Sequence, residues 1–275
     1  MECGITNFAS CIPQLFYDFI LNLLNAPLQP LLFLVKNLLT EPVNLNLFSS
    51  LWAIIIYVIS LFYGLLILYS GFNFMISGYD AVKRSKAKDW LRNILVMIVL
   101  VQASFFLYQI FVDMGSLLAE GTIGLIKDSF FLLTLDNLSN IGLELIFTGF
   151  YVIILLLTVI ILTLRYIIVA LGVVFVPIGI FLYFIPPLSS YGKLILNFLG
   201  ICVFLVFIDA LILLVSSQLL TISIFQNFKI LVMISAFLLI DITMFYLMFF
   251  SAIKSAFKTA ESTAGTIGAV AKYFV

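Results

Sequence analysis

Between Leu145 and Ile185 the chain runs for about forty residues with a single charged side chain, Arg165. A straight α-helix of that length measures roughly 60 Å, about twice the ~30 Å hydrocarbon core of a bilayer. A tract like this bends, re-enters the membrane or forms two spans. It is also not isolated. The chain is 64% hydrophobic and 9% charged, with a mean hydropathy of +1.29 and 29 Phe among 275 residues. A soluble domain carries roughly 25% charged residues. The implied class is an all-α polytopic membrane bundle. A membrane β-barrel would alternate apolar and polar residues in segments of about 10, and no such alternation is present.

Further apolar segments predict spans over about 50–76, 93–118, 194–218 and 229–252, with the long tract at 145–185. Residues 13–40 are apolar but interrupted by Asp18, Asn22, Asn25, Pro27, Gln29 and Pro30. Hydrocarbon leaves such groups unsatisfied, so two short interfacial helices broken at Pro27–Pro30 are expected here. Residues 119–144 carry Glu120, Asp128, Asp136 and Glu144 against Lys127 alone, and read as an acidic loop. Residues 253–275 read as a weakly amphipathic tail with Lys254, Lys258 and Lys272 on its polar side. With no internal repeat or low-complexity linker, the chain reads as one domain, 1–275.

Charge sets the expected orientation. Short loops rich in Lys and Arg remain cytoplasmic, which puts the basic loop 78–92 and the tail inside the cell membrane's cytoplasmic face and the acidic loop outside. The N-terminus is then outside. The tail lies inside only if 145–185 crosses once in net terms, so the rule favours five crossings with 170–186 bent or re-entrant. Six crossings would place Lys254 and Lys258 outside. The start of the chain has no basic segment leading into an apolar run, so no cleaved signal peptide is expected.

The composition also narrows the chemistry. His is absent, which removes the usual general base near neutral pH and the commonest metal ligand. The three Cys (Cys3, Cys11, Cys202) have no zinc or haem spacing. There is no phosphate-cradling glycine loop and no nucleophile–base arrangement. No enzyme activity, metal or cofactor is expected. Cys3 and Cys11 fall outside, where they could close a small disulfide loop or remain two thiols.

The stretch "SGYDAVKRSKAKDWLRNI" (77–94) holds five of the thirteen Lys and Arg: Lys83, Arg84, Lys86, Lys88 and Arg92. Asp80 suits the N-cap of a helix beginning at Ala81. Along that helix Arg84, Lys88 and Arg92 form one stripe, while Ala87, Trp90, Leu91 and Ile94 tend to the other side. Trp90 suits the headgroup level as an interface anchor. The stripe can hold the cytoplasmic topology on anionic lipid, or dock a cytoplasmic ATPase or passing nucleic acid.

Three ionisable residues lie inside spans: Arg165, Asp209 and Asp241. A charge at mid-bilayer costs about 3 kcal/mol or more, so each needs a reason to be there. An Arg–Asp pair fixing helix packing is one reason; a polar route for an ion or substrate is the other. One Arg cannot neutralise two Asp, so one carboxyl is protonated or meets water. Pro177 and the pair Pro186–Pro187 mark helix bends in the long tract.

Two segments carry a family resemblance. "ILYSGFNFMISGYDAVKRSKAKDWLRNILV" (67–96) is a span ending in glycines, a basic helix and another span. "LRYIIVALGVVFVPIGIFLYFIPP" (164–187) places Arg165 a dozen residues before Pro177 and ends on prolines. Together they resemble the TrbL/VirB-type polytopic membrane subunit of type IV secretion and conjugation systems, most of all its streamlined archaeal DNA-exchange relatives. The resemblance covers about residues 45–255. It implies an oligomeric channel or scaffold component of a DNA-transfer machine, a homo-oligomer with a cytoplasmic ATPase and a small pilin-like subunit as partners and DNA in transit. By the same resemblance Arg84, Lys88 and Arg92 face the ATPase or the strand, and Arg165 and Pro177 shape a bent helix. Two other readings stand beside it: a secondary transporter or ion channel using Asp209, Asp241 and Arg165, and a non-conducting membrane anchor for partner proteins.

Overall fold

In the computed structural model, residues 8–127, 130, 141–226, 228–250 and 253 are described. Among them all regular structure is helical: α1 (Phe8–Thr40), α2 (Ser49–Ile76), α3 (Ala81–Ile123), α4 (Ile141–Phe184), α5 (Ser189–Leu219), the short α6 (Ser223–Gln226) and α7 (Lys229–Phe245). A π-helical turn, Tyr246–Phe250, extends α7. Five segments are long and apolar enough to cross a membrane: Leu45–Ile76, Ala81–Ile123, Ile146–Phe184, Pro186–Leu219 and Lys229–Phe250.

Two elements differ from expectation. Residues 13–40 do not form two helices broken at Pro27–Pro30; α1 passes through both prolines as one helix of 33 residues. Each proline removes one i→i−4 bond and leaves the rest of the ladder. Spaced by three residues, the two share a helix face, and both are exposed while Leu28, Val35 and Leu39 are buried. The long apolar tract does not split into two helices. α4 continues for 44 residues with Pro177 inside it, and the chain reverses only at the 3₁₀ turn Pro186–Leu188. The expected acidic loop is shortened at both ends, because α3 reaches Ile123 and α4 starts at Ile141. Cys3, Asp128, Asp136, the side chain of Cys11 and nearly all of the tail 253–275 lie outside what is described, and the expected Cys3–Cys11 disulfide with them.

The chain divides into two compact units. The first comprises Met1–Glu41, Ser116–Leu164 and Val206–Met244, and the second Pro42–Gly115, Arg165–Leu205 and Phe245–Val275. The boundaries fall just after α1, inside α3, α4 and α5, and at the last residue of α7.

Lipid tails are as apolar as leucine, so membrane helices associate through close packing and hydrogen bonds rather than by escaping solvent. The second unit shows both. Ile56 and Ile59 of α2 pack with Ile94, Met97 and Val101 of α3, flanked by Ile178 and Phe181 of α4. The Trp52 indole N–H donates to Ser104 Oγ (3.0 Å), tying α2 to α3. Glycines then allow backbones to approach. A Cβ at Gly115 would sit 2.9 Å from the Val203 carbonyl, one at Gly172 would collide with the Tyr108 hydroxyl, and one at Gly192 would meet the Tyr183 backbone nitrogen and the Gly179 carbonyl.

Several hydroxyls inside the spans are satisfied locally. Thr158 donates to Ile154 O (3.0 Å), Ser216 to Ile212 O (2.8 Å) and Thr122 to Leu118 O (2.8 Å). Such back-bonding removes their need for water.

Gly192→Ala and Gly172→Ala should each lower stability by about 1–3 kcal/mol, whereas Gly149→Ala, which meets nothing within 4 Å, should be neutral or slightly stabilising. Thermal unfolding of detergent-purified protein by tryptophan fluorescence separates these outcomes. Equal effects at all three sites would contradict the packing described.

Candidate functional site

Three polar groupings stand out against the apolar background. The first is the corner between α2 and α3. Asp80 Oδ1 accepts from the backbone N–H of Val82 (2.9 Å) and Lys83 (3.4 Å), so it caps α3 as expected. The basic helix then runs without interruption into the span. Lys83, Arg84, Lys86, Lys88 and Arg92 are all exposed, while Ala87 and Ile94 are buried and Trp90 and Leu91 are half-buried. The two faces therefore divide as the spacing predicts. Arg92 pairs with Asp89 (3.2 Å), an exposed i,i+3 contact of little energetic weight. The Arg84 guanidinium lies over the Phe74 ring at 5.7 Å. The Trp90 ring packs edge-on against Tyr69 (6.4 Å) in the α2–α3 seam, and its indole nitrogen is buried with no hydrogen-bond partner among the described residues.

The second grouping surrounds Arg165, 4% exposed on α4. Its Nε donates to the Cys202 carbonyl of α5 (3.0 Å). A helical carbonyl retains a second lone pair after its intrahelical bond, so the donor is met without breaking α5. Tyr108 of α3, also buried, donates its hydroxyl to the Val169 carbonyl of α4 (2.7 Å). Gly172 leaves the room that ring needs. Tyr108 and Gly172 escape a sequence reading directed at charge. Pro177 lies twelve residues beyond Arg165 within α4, and Pro186 and Pro187 form the turn into α5.

The third grouping belongs to the first unit. Asp209 of α5 is fully buried and Asp241 of α7 is 6% exposed. On α4, Thr148, Tyr151 and Thr158 are buried, and their spacing of three and seven residues places them on one face. Tyr151 meets Phe237 of α7 at 5.8 Å between ring centroids. Asp241 neighbours Thr158, whose proton is committed to the Ile154 carbonyl. Neither Asp241 carboxyl oxygen, nor Thr148 Oγ1, nor the Tyr151 hydroxyl has a hydrogen-bond partner among the described residues. A span with three polar side chains on one face was a visible signal that attention to charged residues alone passes over.

This arrangement can hold helices together and present a buried carboxyl. Among the described residues no three His, Cys, Asp or Glu gather as a metal site. Because the Thr158 hydroxyl beside the Asp241 carboxyl already donates to the Ile154 carbonyl, Asp241→Asn should leave the unfolding temperature unchanged or raise it. A fall of several degrees in detergent would show instead that the carboxyl stabilises the fold.

Compared with known proteins, the chain matches no family model, no curated protein and no solved structure.

Proposed function

We propose that the chain is an oligomeric membrane subunit of a type IV secretion-like or conjugation-like DNA-transfer machine, acting as channel or scaffold, with a cytoplasmic ATPase and a small pilin-like subunit as its partners. The observation that carries the oligomeric part is the exposure of α2. Only 11% of its most apolar stretch is buried within the chain, against 44% for the span containing α5. Its own chain covers one face, through Ile56, Ile59 and their neighbours. On a different face Ala53, Ser60, Gly64 and Gly71 recur at spacings of seven, four and seven residues. A Cβ at Gly64 or Gly71 would meet nothing within 4 Å. Small residues in this pattern let a second membrane helix approach closely. The DNA-transfer part rests on the resemblance of 67–96 and 164–187.

A second reading, a secondary transporter or ion channel, is favoured by Asp241, whose carboxyl is buried beside Thr158 in an otherwise apolar span. It predicts that Asp241→Asn abolishes transport at unchanged stability and that the protein works as a monomer.

Native mass spectrometry of the detergent-extracted particle, followed by imaging, tests the first reading. A ring of copies is expected, and Gly64→Leu with Gly71→Leu should convert it to monomer without lowering monomer stability. A wild-type monomer discards the oligomeric subunit. Removing the gene from its host should abolish DNA transfer between cells; transfer at the normal level would discard the DNA-transfer role while leaving the oligomer standing.

A further inference from the structure

We infer that the α2–α3 corner is a binding surface for anionic phospholipid headgroups, and that this, rather than nucleic-acid contact, is what its five basic side chains serve. The inference does not depend on the DNA-transfer reading.

Length comes first. α3 has 43 residues, about 65 Å of helix at 1.5 Å per residue, while the hydrocarbon core takes up only ~30 Å. A large part of α3 therefore lies beyond the hydrocarbon. Its N-terminal twelve residues, the only part of the helix with Lys and Arg, are the part suited to lie there. Arg92 and Lys88 directly precede the apolar run that starts at Ile94, which is phosphate depth. Lys83, Arg84 and Lys86 follow within about 15 Å along the axis.

The neighbours of these charges decide the partner. Beside the basic side chains stand large apolar ones that are just as open: Ile76 (78%), Met75 (70%) and Val82 (64%). Arg84 lies over Phe74 on the last turns of α2, so these turns and the basic turns of α3 occupy the same level. A phosphodiester backbone has nothing to offer an exposed Ile or Met. A bilayer surface offers acyl chain to one and phosphate to the other, which is the pairing used by interfacial basic segments. Five basic residues face two acidic ones in 77–94. Asp80 is committed to capping α3 and Asp89 to Arg92, so Lys83, Arg84, Lys86 and Lys88 keep their charge available. The N–H groups of Val82, Lys83 and Arg84 at the start of α3 are met by Asp80, so the side chains rather than the helix terminus form the surface.

The test uses the full chain in mixed micelles with equal amounts of phosphatidylglycerol and phosphatidylcholine, with retained lipid counted by native mass spectrometry. Wild type should retain phosphatidylglycerol preferentially. Arg84→Gln, Lys88→Gln and Arg92→Gln together should reduce that preference at least about tenfold. Arg84→Lys with Arg92→Lys should preserve it. All these side chains are exposed, so unfolding temperatures should not change, and a shared loss of stability is distinguishable from a lost surface. Equal retention of the two lipids by wild type overturns the inference. So does a single-stranded oligonucleotide that binds wild type and not the triple variant while lipid preference is the same in both, which would assign the corner to nucleic acid.

Discussion

A guanidinium in an apolar bundle must find acceptors or it does not stay, and the second unit is arranged about that requirement. Arg165 reaches the carbonyl of Cys202, which fixes one turn of α5 against α4. The next carbonyl along, Val203, faces Gly115 of α3, close enough that a methyl group would not fit comfortably. Two helices thus converge on adjacent carbonyls of a third. Tyr108 closes the triangle by donating to Val169 on α4 across Gly172. Every one of these contacts uses a carbonyl already bonded within its helix, so cohesion comes without unravelling any ladder. In hydrocarbon, where burial offers helices no advantage over lipid, contacts of this type do what an apolar core does in water.

Much of this frame was legible in the sequence, and the reasons differ by element. The spans follow from apolar runs, because a segment without polar groups has few alternatives to a membrane helix. Asp80 as the cap of α3 follows from local chemistry, since a short carboxylate reaches the next two N–H groups regardless of context. The separation of Arg84, Lys88 and Arg92 from Ala87 and Ile94 is pure helical periodicity. Proline is legible only in part: Pro27 and Pro30 suggest a break, yet α1 runs on through them as one helix, while Pro177 lies within a continuous α4. A proline forfeits one bond and demands space on one side; with both prolines of α1 exposed, that space is there.

At the candidate sites, charged residues were easy to find and neutral ones were not. Arg165, Asp209 and Asp241 announce themselves in an apolar tract. Tyr108, Gly172 and Thr158 do not, because tyrosine, glycine and threonine are ordinary in membrane helices, and their roles depend on which residue of another helix lies opposite. Trp90 lies between these cases: its place in a basic run marks it in the sequence, but its ring partner, Tyr69 on α2, depends on which residue of another helix lies opposite.

The two ends of the burial range explain each other. α5 is gripped by its neighbours because its carbonyls receive Arg165 and lie against glycine. α2 offers little of that kind: one indole bond to Ser104, one aliphatic seam, and two open glycines at 64 and 71. A helix so lightly held by its own chain gains little specificity of position from it, and its remaining surface is left to whatever surrounds it laterally. Its C-terminal end is different, because the chain there turns directly into a capped helix carrying five exposed charges. Charge that cannot enter hydrocarbon sets the depth of that end, while the apolar, small-residue flank above it leaves lateral contacts open. Copies that pack side by side need both conditions, a common depth and a flank on which another backbone can lie close. In this chain the two conditions belong to one hairpin.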